Sequence, residues 1–257
     1  MKSKFFRSLF AVGLALAAAM ANAGTIAYST GTQNPWDSTT NDAAMNAAFG
    51  AGNWVKSNGY DVSVFNGASI VYLDGGDTSF TAFSDFLTTN SGAIASYVFN
   101  GGRLFLNAAP QPQNGHDLNL GFGVTLKYPG TSFIDYVTDA GVAAGLTNGG
   151  LPTNFGGFGF ALATLTGADF TSLINDVAGN SVFGAKQYGN GFVAFGTQTP
   201  VEFHTGPAAQ LFANELKYVA TAEVQSVSAV PEPSSVAMIG LGLSLVAFSG
   251  KRRKARV

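Results

Sequence analysis

The sequence predicts an α/β body, a parallel sheet with helices on both faces, and three observations predict it. Short apolar runs and helix-length periodic segments alternate in the order strand, helix, strand, strand, helix, strand over residues 25–107. One of those strands, around Ile70-Val71-Tyr72-Leu73, is apolar without interruption, as a strand covered on both faces should be. The body between the two distinctive ends of the chain, about 200 residues, has the size of a single domain.

Residues 25–29 open the body as a strand and run into a polar loop, 30–39, that holds Asn34-Pro35-Trp36-Asp37. A helix follows over 40–58: Thr40 can cap it, Ala44, Ala47, Ala48, Ala51 and Val55 recur at helical spacing, and Asn58-Gly59 stops it. Strands are expected at 61–65 and 69–74, then a turn at Gly75-Gly76-Asp77. From 80 to 100 a helical pattern carried by Phe83, Phe86, Leu87, Ile94, Tyr97 and Val98 is broken near Asn90-Ser91-Gly92 and ends at Asn100-Gly101-Gly102. A buried strand at 103–107 leads into the loop 108–121.

The glycine-rich second half predicts strands near 124–127 and 159–165 and a helix over 169–177. A hairpin follows, 182–188 and 192–196, joined by Gly189-Asn190-Gly191. An amphipathic helix over 207–220, with Leu211, Phe212, Leu216 and Val219 on one side, closes the body. Residues 221–235 read as a tether.

The two ends carry targeting signals. Lys2, Lys4 and Arg7 precede an apolar run from Leu9 to Met20 and the small-residue ending Ala21-Asn22-Ala23, the pattern of a secretory signal peptide. Cleavage by signal peptidase is expected after Ala23, which makes residues 1–23 the signal and 24–220 the globular domain. At the other end come Pro231-Glu232-Pro233, an apolar segment at 236–250 and the basic tail 251–257 with Lys251, Arg252, Arg253, Lys254 and Arg256. The apolar segment reaches the lower limit for a membrane-spanning helix, and the basic cluster would stay on the cytoplasmic side, leaving the body outside.

Tripeptide, apolar span and basic end in that order resemble the PEP-CTERM sorting signal read by exosortases. The resemblance implies a Gram-negative host and processing at or near Pro231-Glu232-Pro233 after a transient stay in the inner membrane. Delivery to the cell surface or the extracellular polysaccharide matrix would follow.

Several pieces of the body are similar to the flavodoxin-like fold of class I glutamine amidotransferases and their relatives. They are the helix ending in Tyr97-Val98-Phe99-Asn100-Gly101-Gly102-Arg103-Leu104 and the hairpin Tyr188-Gly189-Asn190-Gly191-Phe192-Val193 before a last helix. The resemblance implies a parallel sheet with helices on both faces but not the chemistry. Where those enzymes turn onto a cysteine nucleophile, this chain has Ala108-Ala109-Pro110 after Asn107.

Composition removes whole classes of function. Between Gly24 and Val230 five basic residues stand against 14 acidic ones, a net charge of −9, which repels nucleic acid. The absence of cysteine excludes disulfides, thiolate metal sites and cysteine nucleophiles. No cofactor motif is present: Gly156-Gly157-Phe158-Gly159 lacks the lysine and hydroxyl of a phosphate loop, and no Gly-x-Ser-x-Gly elbow exists.

In an open parallel sheet the ligand crevice lies beyond the carboxyl ends of the strands. The loops there hold Trp36 and Asp37, Asp74 and Asp77, Asn107, His116 and Asp117, and further on Glu202 and His204. Trp36 could stack on a sugar while carboxylates and amides hydrogen-bond its hydroxyls. Asp74-Gly75-Gly76-Asp77 is read as a structural turn before a cation site, since Asp bonds readily to nearby backbone. The favoured expectation is a non-catalytic binding domain associated with extracellular polysaccharide, with no metal or cofactor. The alternative is a secreted hydrolase using His204, His116 and Asp117 on a carbohydrate or related polymer.

Overall fold

The computed structural model describes residues 24–110, 113–129, 134–146, 154–156, 163–199 and 207–225. The chain divides into two units, Met1–Val224 and Gln225–Val257, and the described secondary structure lies in the first. The expected signal helix and the membrane helix at 236–250 fall outside the described residues. Among the described residues no helix is long and apolar enough to cross a membrane.

One side of the sheet is built from β1 (Thr25–Thr30), β2 (Trp54–Asn58), β3 (Ala68–Asp74) and β4 (Arg103–Asn107). Three helices connect them: α1 (Thr40–Phe49), α2 (Phe80–Thr89) and α3 (Ser91–Phe99). These strands lie in the order β2-β1-β3-β4, all parallel, and β12 (Gly191–Gly196) joins parallel to β4. From there the direction reverses at every step. β11 (Ser181–Tyr188), β10 (Thr171–Asp176), β7 (Ile134–Val137) and β8 (Asn154–Gly156) follow β12 in antiparallel succession, and a short helix, α4 (Asp139–Ala143), follows β7 in the chain. A branch of β5 (Leu118–Gly121), β6 (Val124–Lys127) and β9 (Thr164–Gly167) attaches where Ser181 of β11 pairs with Leu165.

The 12-stranded sheet is therefore mixed, and the expectation of a flavodoxin-like parallel sheet of the glutamine amidotransferase type is corrected. The hairpin between β11 and β12 makes the first reversal. Tyr188 pairs with Gly191, leaving Gly189-Asn190 as a two-residue hairpin loop. Gly189 has φ +59°, the sign a type II′ turn demands at its first central residue. The segment expected as a helix over 169–177 is instead strand β10. Its apolar pair Leu173-Ile174 is too short a signal to separate the two states, and pairing with β11 and β7 decides it.

The first half needs two smaller corrections. The helix expected over 40–58 ends at Phe49, because Gly50 and Gly52 take positive φ and release the chain into β2. The strand expected at 61–65 is a 3-10 turn, Val62–Phe65, begun by the Asp61 carboxylate accepting from the Ser63 amide at 2.8 Å.

Apolar side chains cover both faces of the sheet. On one face Val71, Leu73, Leu104, Leu106, Val193 and Phe195 pack under α2, α3 and the β5–β6–β9 branch. On the other, Tyr28, Tyr72, Phe105 and Phe183 form a row of touching rings, with centroids 4.9, 5.1 and 5.4 Å apart in turn. Phe212 of α5 (Pro207–Thr221) meets Tyr72 edge-on at 5.6 Å. Such ring pairs add about 0.5–1.5 kcal/mol each beyond the area they bury.

At the base of the sheet, where the parallel strands begin, the Arg103 guanidinium donates to the carbonyls of Val219 at 2.8 Å and Ala222 at 2.7 Å. The cation thus satisfies the open carboxyl end of α5.

Candidate functional site

The carboxyl ends of the parallel strands stand in register: Thr30 beside Asp74, Asp74 beside Asn107, and Asn107 beside Gly196. Asp74 follows Tyr72 by two residues and Asn107 follows Phe105 by two, so strand alternation sends both side chains to the aromatic face. Asp74 is fully buried. Its Oδ2 accepts from Asn41 Nδ2 of α1 at 2.5 Å, and its Oδ1 accepts from Asn107 Nδ2 at 3.0 Å and the Gly76 amide at 2.9 Å. Burial pushes the Asp74 carboxyl up to about 6, with those three donors pulling against it.

The network continues to both flanking helices. Asn41 Nδ2 also donates to the Tyr28 hydroxyl at 2.9 Å. Asn107 exchanges two bonds with the backbone of Gln198, at 2.9 and 2.8 Å, and Gln198 Nε2 donates to the Glu215 carboxyl on α5. Glu215 is fully buried, and burial pushes its carboxyl up to about 8, so the group is protonated at neutral pH. Asn41 Oδ1, the Tyr72 hydroxyl, Gln198 Oε1 and Glu215 Oε1 are buried without a partner.

Above this layer the loops hold a strained cluster. Trp36, Asp37 and Asp77 have φ of 58°, 52° and 57°, left-handed values that cost a non-glycine residue about 1–3 kcal/mol each. The Trp36 amide donates to Asp77 Oδ2 at 3.1 Å, and the Asp77 amide donates to the Ala109 carbonyl at 3.1 Å. The indole lies over Gly76, where a Cβ would stand 3.0 Å from Trp36 Nε1 and 3.1 Å from Asp74 Oδ1. A side chain at Gly76 would meet both the indole and the buried carboxylate. Trp36 is half-buried, and its Nε1–H has no partner.

Asn114 Nδ2 donates to the Asp77 carbonyl at 3.4 Å, while Asn114 Oδ1 is unpartnered. The exposed His116 ring stands edge-on to Phe80 at 4.9 Å, with Nδ1 3.1 Å from the Asn114 carbonyl.

Of the residues singled out in the sequence, Trp36, Asp74, Asp77, Asn107 and His116 are thus gathered around one end of the sheet. Asp37 is exposed beside Trp36. Asp117 does not join them: its carboxylate takes the Lys127 ammonium at 2.5 Å and the Tyr128 amide at 3.0 Å, which holds its pKa below the usual carboxylate range. No His116–Asp117 dyad forms. His204 and Glu202 lie outside the described residues, as do Ala23 and the sorting residues Pro231, Glu232, Pro233, Lys251, Arg252 and Arg253.

Sequence reasoning missed Asn41, Asn114, Gln198 and Glu215. For Glu215 a signal existed: it falls four residues after Leu211 and three after Phe212, on the apolar stripe of α5.

The chemistry available is hydrogen bonding and stacking. Ala108 and Ala109, both buried, occupy the turn after β4, so no nucleophile stands there. Among the described residues no group of three or more His, Asp or Glu side chains gathers to hold a metal. Open cavities lie elsewhere among the described residues. One of about 750 Å³ at the base is lined by Gly24, Phe65, Tyr97, Arg103 and Ala220, and one of about 350 Å³ runs along β2 near Lys56 and Asp61.

Comparison with known proteins gives one family match. Residues 229–254 match the PEP-CTERM protein-sorting motif. No curated protein matches the chain.

Among solved structures, the chain is similar to exo-beta-1,4-mannosidase Op5Man5 from Opitutaceae bacterium strain TAV5, at 12% identity and a TM-score of 0.48, over 79% of this chain and 36% of that one. It is similar also to the beta-galactosidase of Rahnella sp. R3, at 13% identity and a TM-score of 0.47, over 85% of this chain and 35% of that one. The cytoplasmic protein STM1381 from Salmonella typhimurium LT2 is similar at 10% identity and a TM-score of 0.46, over 78% of this chain and 100% of that one. The chain thus spans about a third of the length of the two glycosidases, and likeness at this level says nothing of activity. The sorting motif does speak: the chain is an exported protein that carries the C-terminal signal of an exosortase substrate.

Proposed function

We propose that the body is a non-catalytic binding domain that holds extracellular polysaccharide through the loops over the carboxyl edge of its parallel strands. The observation that carries this reading is the Trp36–Asp77 pair. Two loops from different parts of the chain are locked together in left-handed conformations, holding a half-buried indole against Gly76, whose amide binds the buried Asp74 carboxylate. Strain of this kind persists where the surroundings over-determine it, and it concentrates at ligand clamps. A tryptophan flanked by amide and carboxylate groups suits a sugar ring, which offers an apolar face and a rim of hydroxyls.

Placement supports the reading as well. The body begins at Gly24 and α5 ends beside Arg103, both at the base of the sheet, and the loops with Trp36 lie at the sheet's other end. Signal peptidase and exosortase would process the two ends, and the body would then lie at the surface or in the matrix. In the hydrolase alternative Asp117 would have to leave Lys127 and Tyr128, while His204 lies outside the described residues.

The test is titration of the exported protein with exopolysaccharide purified from its own host. Trp36→Ala should weaken binding at least tenfold, equivalent to about 1.4 kcal/mol, while Asp117→Ala leaves it unchanged. Equal binding by Trp36→Ala and the parent, or no binding by the parent, would contradict the proposal.

A further inference from the structure

At the far side of the sheet, two carboxylates face each other across a strand pair. Asp135 of β7 and Asp176 of β10 are directly opposite in an antiparallel register. Residues paired this way project to the same face with their Cβ atoms about 5 Å apart. Both are buried, at 0% and 1% exposure.

Their surroundings differ. Asp176 is held by its own turn: Oδ1 accepts from the Ala178 amide at 2.9 Å and the Asn180 amide at 2.8 Å, and Oδ2 accepts from Asn180 Nδ2 at 3.0 Å. Neither oxygen of Asp135 has a hydrogen-bond partner. A fully buried carboxylate with both oxygens unsatisfied is costly, and placing it opposite a second, prearranged carboxylate compounds the cost. Burial, and then the charge of Asp176, push the Asp135 carboxyl up to about 8.

We propose that Asp135 and Asp176 form a binding site for a hard divalent cation of the calcium type. The cation supplies what Asp135 lacks, a partner for both of its oxygens. Calcium is favoured over magnesium because it accepts irregular sets of six to eight oxygens. With only two carboxylates in the described site, backbone carbonyls and water must complete the shell. Two carboxylates match the weak class of sites found in extracellular modules, with Kd of about 10⁻⁴–10⁻³ M. An exported chain meets calcium at such concentrations. The inference is independent of the polysaccharide reading, since these residues lie on β7 and β10 and the Trp36 loops on the other half of the sheet.

The experiment is thermal unfolding of the chelator-stripped full chain, titrated separately with CaCl2 and MgCl2. Calcium at 5 mM should raise Tm by about 4 °C, and magnesium by less. In Asp135→Asn, which replaces the buried acid by a neutral amide of the same shape and so is expected to fold, the calcium shift should disappear, and calorimetric titration should lose its binding heat. An unchanged Tm in the parent at every calcium concentration would overturn the proposal and leave the pair sharing a proton. The same shift in Asp135→Asn would overturn it too, by placing the calcium elsewhere.

Discussion

Replacing Asp74 by alanine is expected to cost about 3–5 kcal/mol of folding stability, a large share of what holds a domain of this size together. The carboxylate accepts from Asn41, Asn107 and the Gly76 amide in a place water does not reach. Alanine leaves those donors facing an apolar gap. The loss is shared across the fold, because Asn41 belongs to α1, Asn107 to β4 and Gly76 to the turn beneath Trp36. Asp74→Asn should fall between parent and alanine: its amide oxygen replaces one acceptor, while its NH2 confronts a donor. Asp37→Ala, at an exposed position three residues before α1 begins, takes no donor from the buried network and should change stability by about 1 kcal/mol or less. Urea unfolding at pH 7.5 measures all three. If Asp74→Ala were as stable as Asp37→Ala, the network would not be a structural element.

The second large effect depends on pH. Glu215 has a carboxyl raised from 4.5 in the unfolded chain to about 8 in the fold, by burial. Below pH 4.5 both states hold the proton, and the group contributes no pH dependence. Between 4.5 and 8 the unfolded chain ionises while the folded one does not, so the fold loses stability as pH rises, and above about 8 the loss is complete. The accumulated loss is on the order of 3–5 kcal/mol. Glutamine has nearly the shape of the protonated acid, keeps a carbonyl oxygen to accept from Gln198 and cannot ionise. Glu215→Gln should therefore match the parent at pH 4 and exceed it by about that amount at pH 9, measured as urea midpoints across the range. The Asp135 carboxyl slopes in the same direction in both proteins, so the difference between them isolates Glu215. Parallel curves for parent and variant would mean that Glu215 is ionised in the fold.

What the sequence made legible follows from how locally each feature is encoded. The strands at 69–74 and 103–107 were readable because each is a short apolar run between turn residues, and the hairpin at 181–196 because a glycine-asparagine pair interrupts two such runs. Strand direction was not readable. Nothing within residues 171–176 distinguishes a strand beside β11 from a turn and a half of helix, so the change from parallel to antiparallel that makes the sheet mixed lay in long-range pairing.

The site divides in the same way. Trp36, Asp74, Asp77 and Asn107 were found because chemistry-bearing residues in loops at strand ends draw attention. Asn41 and Gln198 read as solvent-facing polar residues, and only the packing of α1 and α5 against the sheet buries them. The strain at Trp36, Asp37 and Asp77 is invisible in sequence, because none of the three is the glycine that a left-handed conformation normally attracts.

The matched sorting motif implies that the chain is exported and that an exosortase processes it. Intact-mass spectrometry of surface and culture fractions, from hosts with and without the exosortase, tests it most directly. The account predicts a mature form that starts at Gly24 and ends near Val230, and that vanishes when the enzyme is absent. A mature form that keeps Lys251, Arg252 and Arg253 at the membrane whether or not the exosortase is present would contradict it.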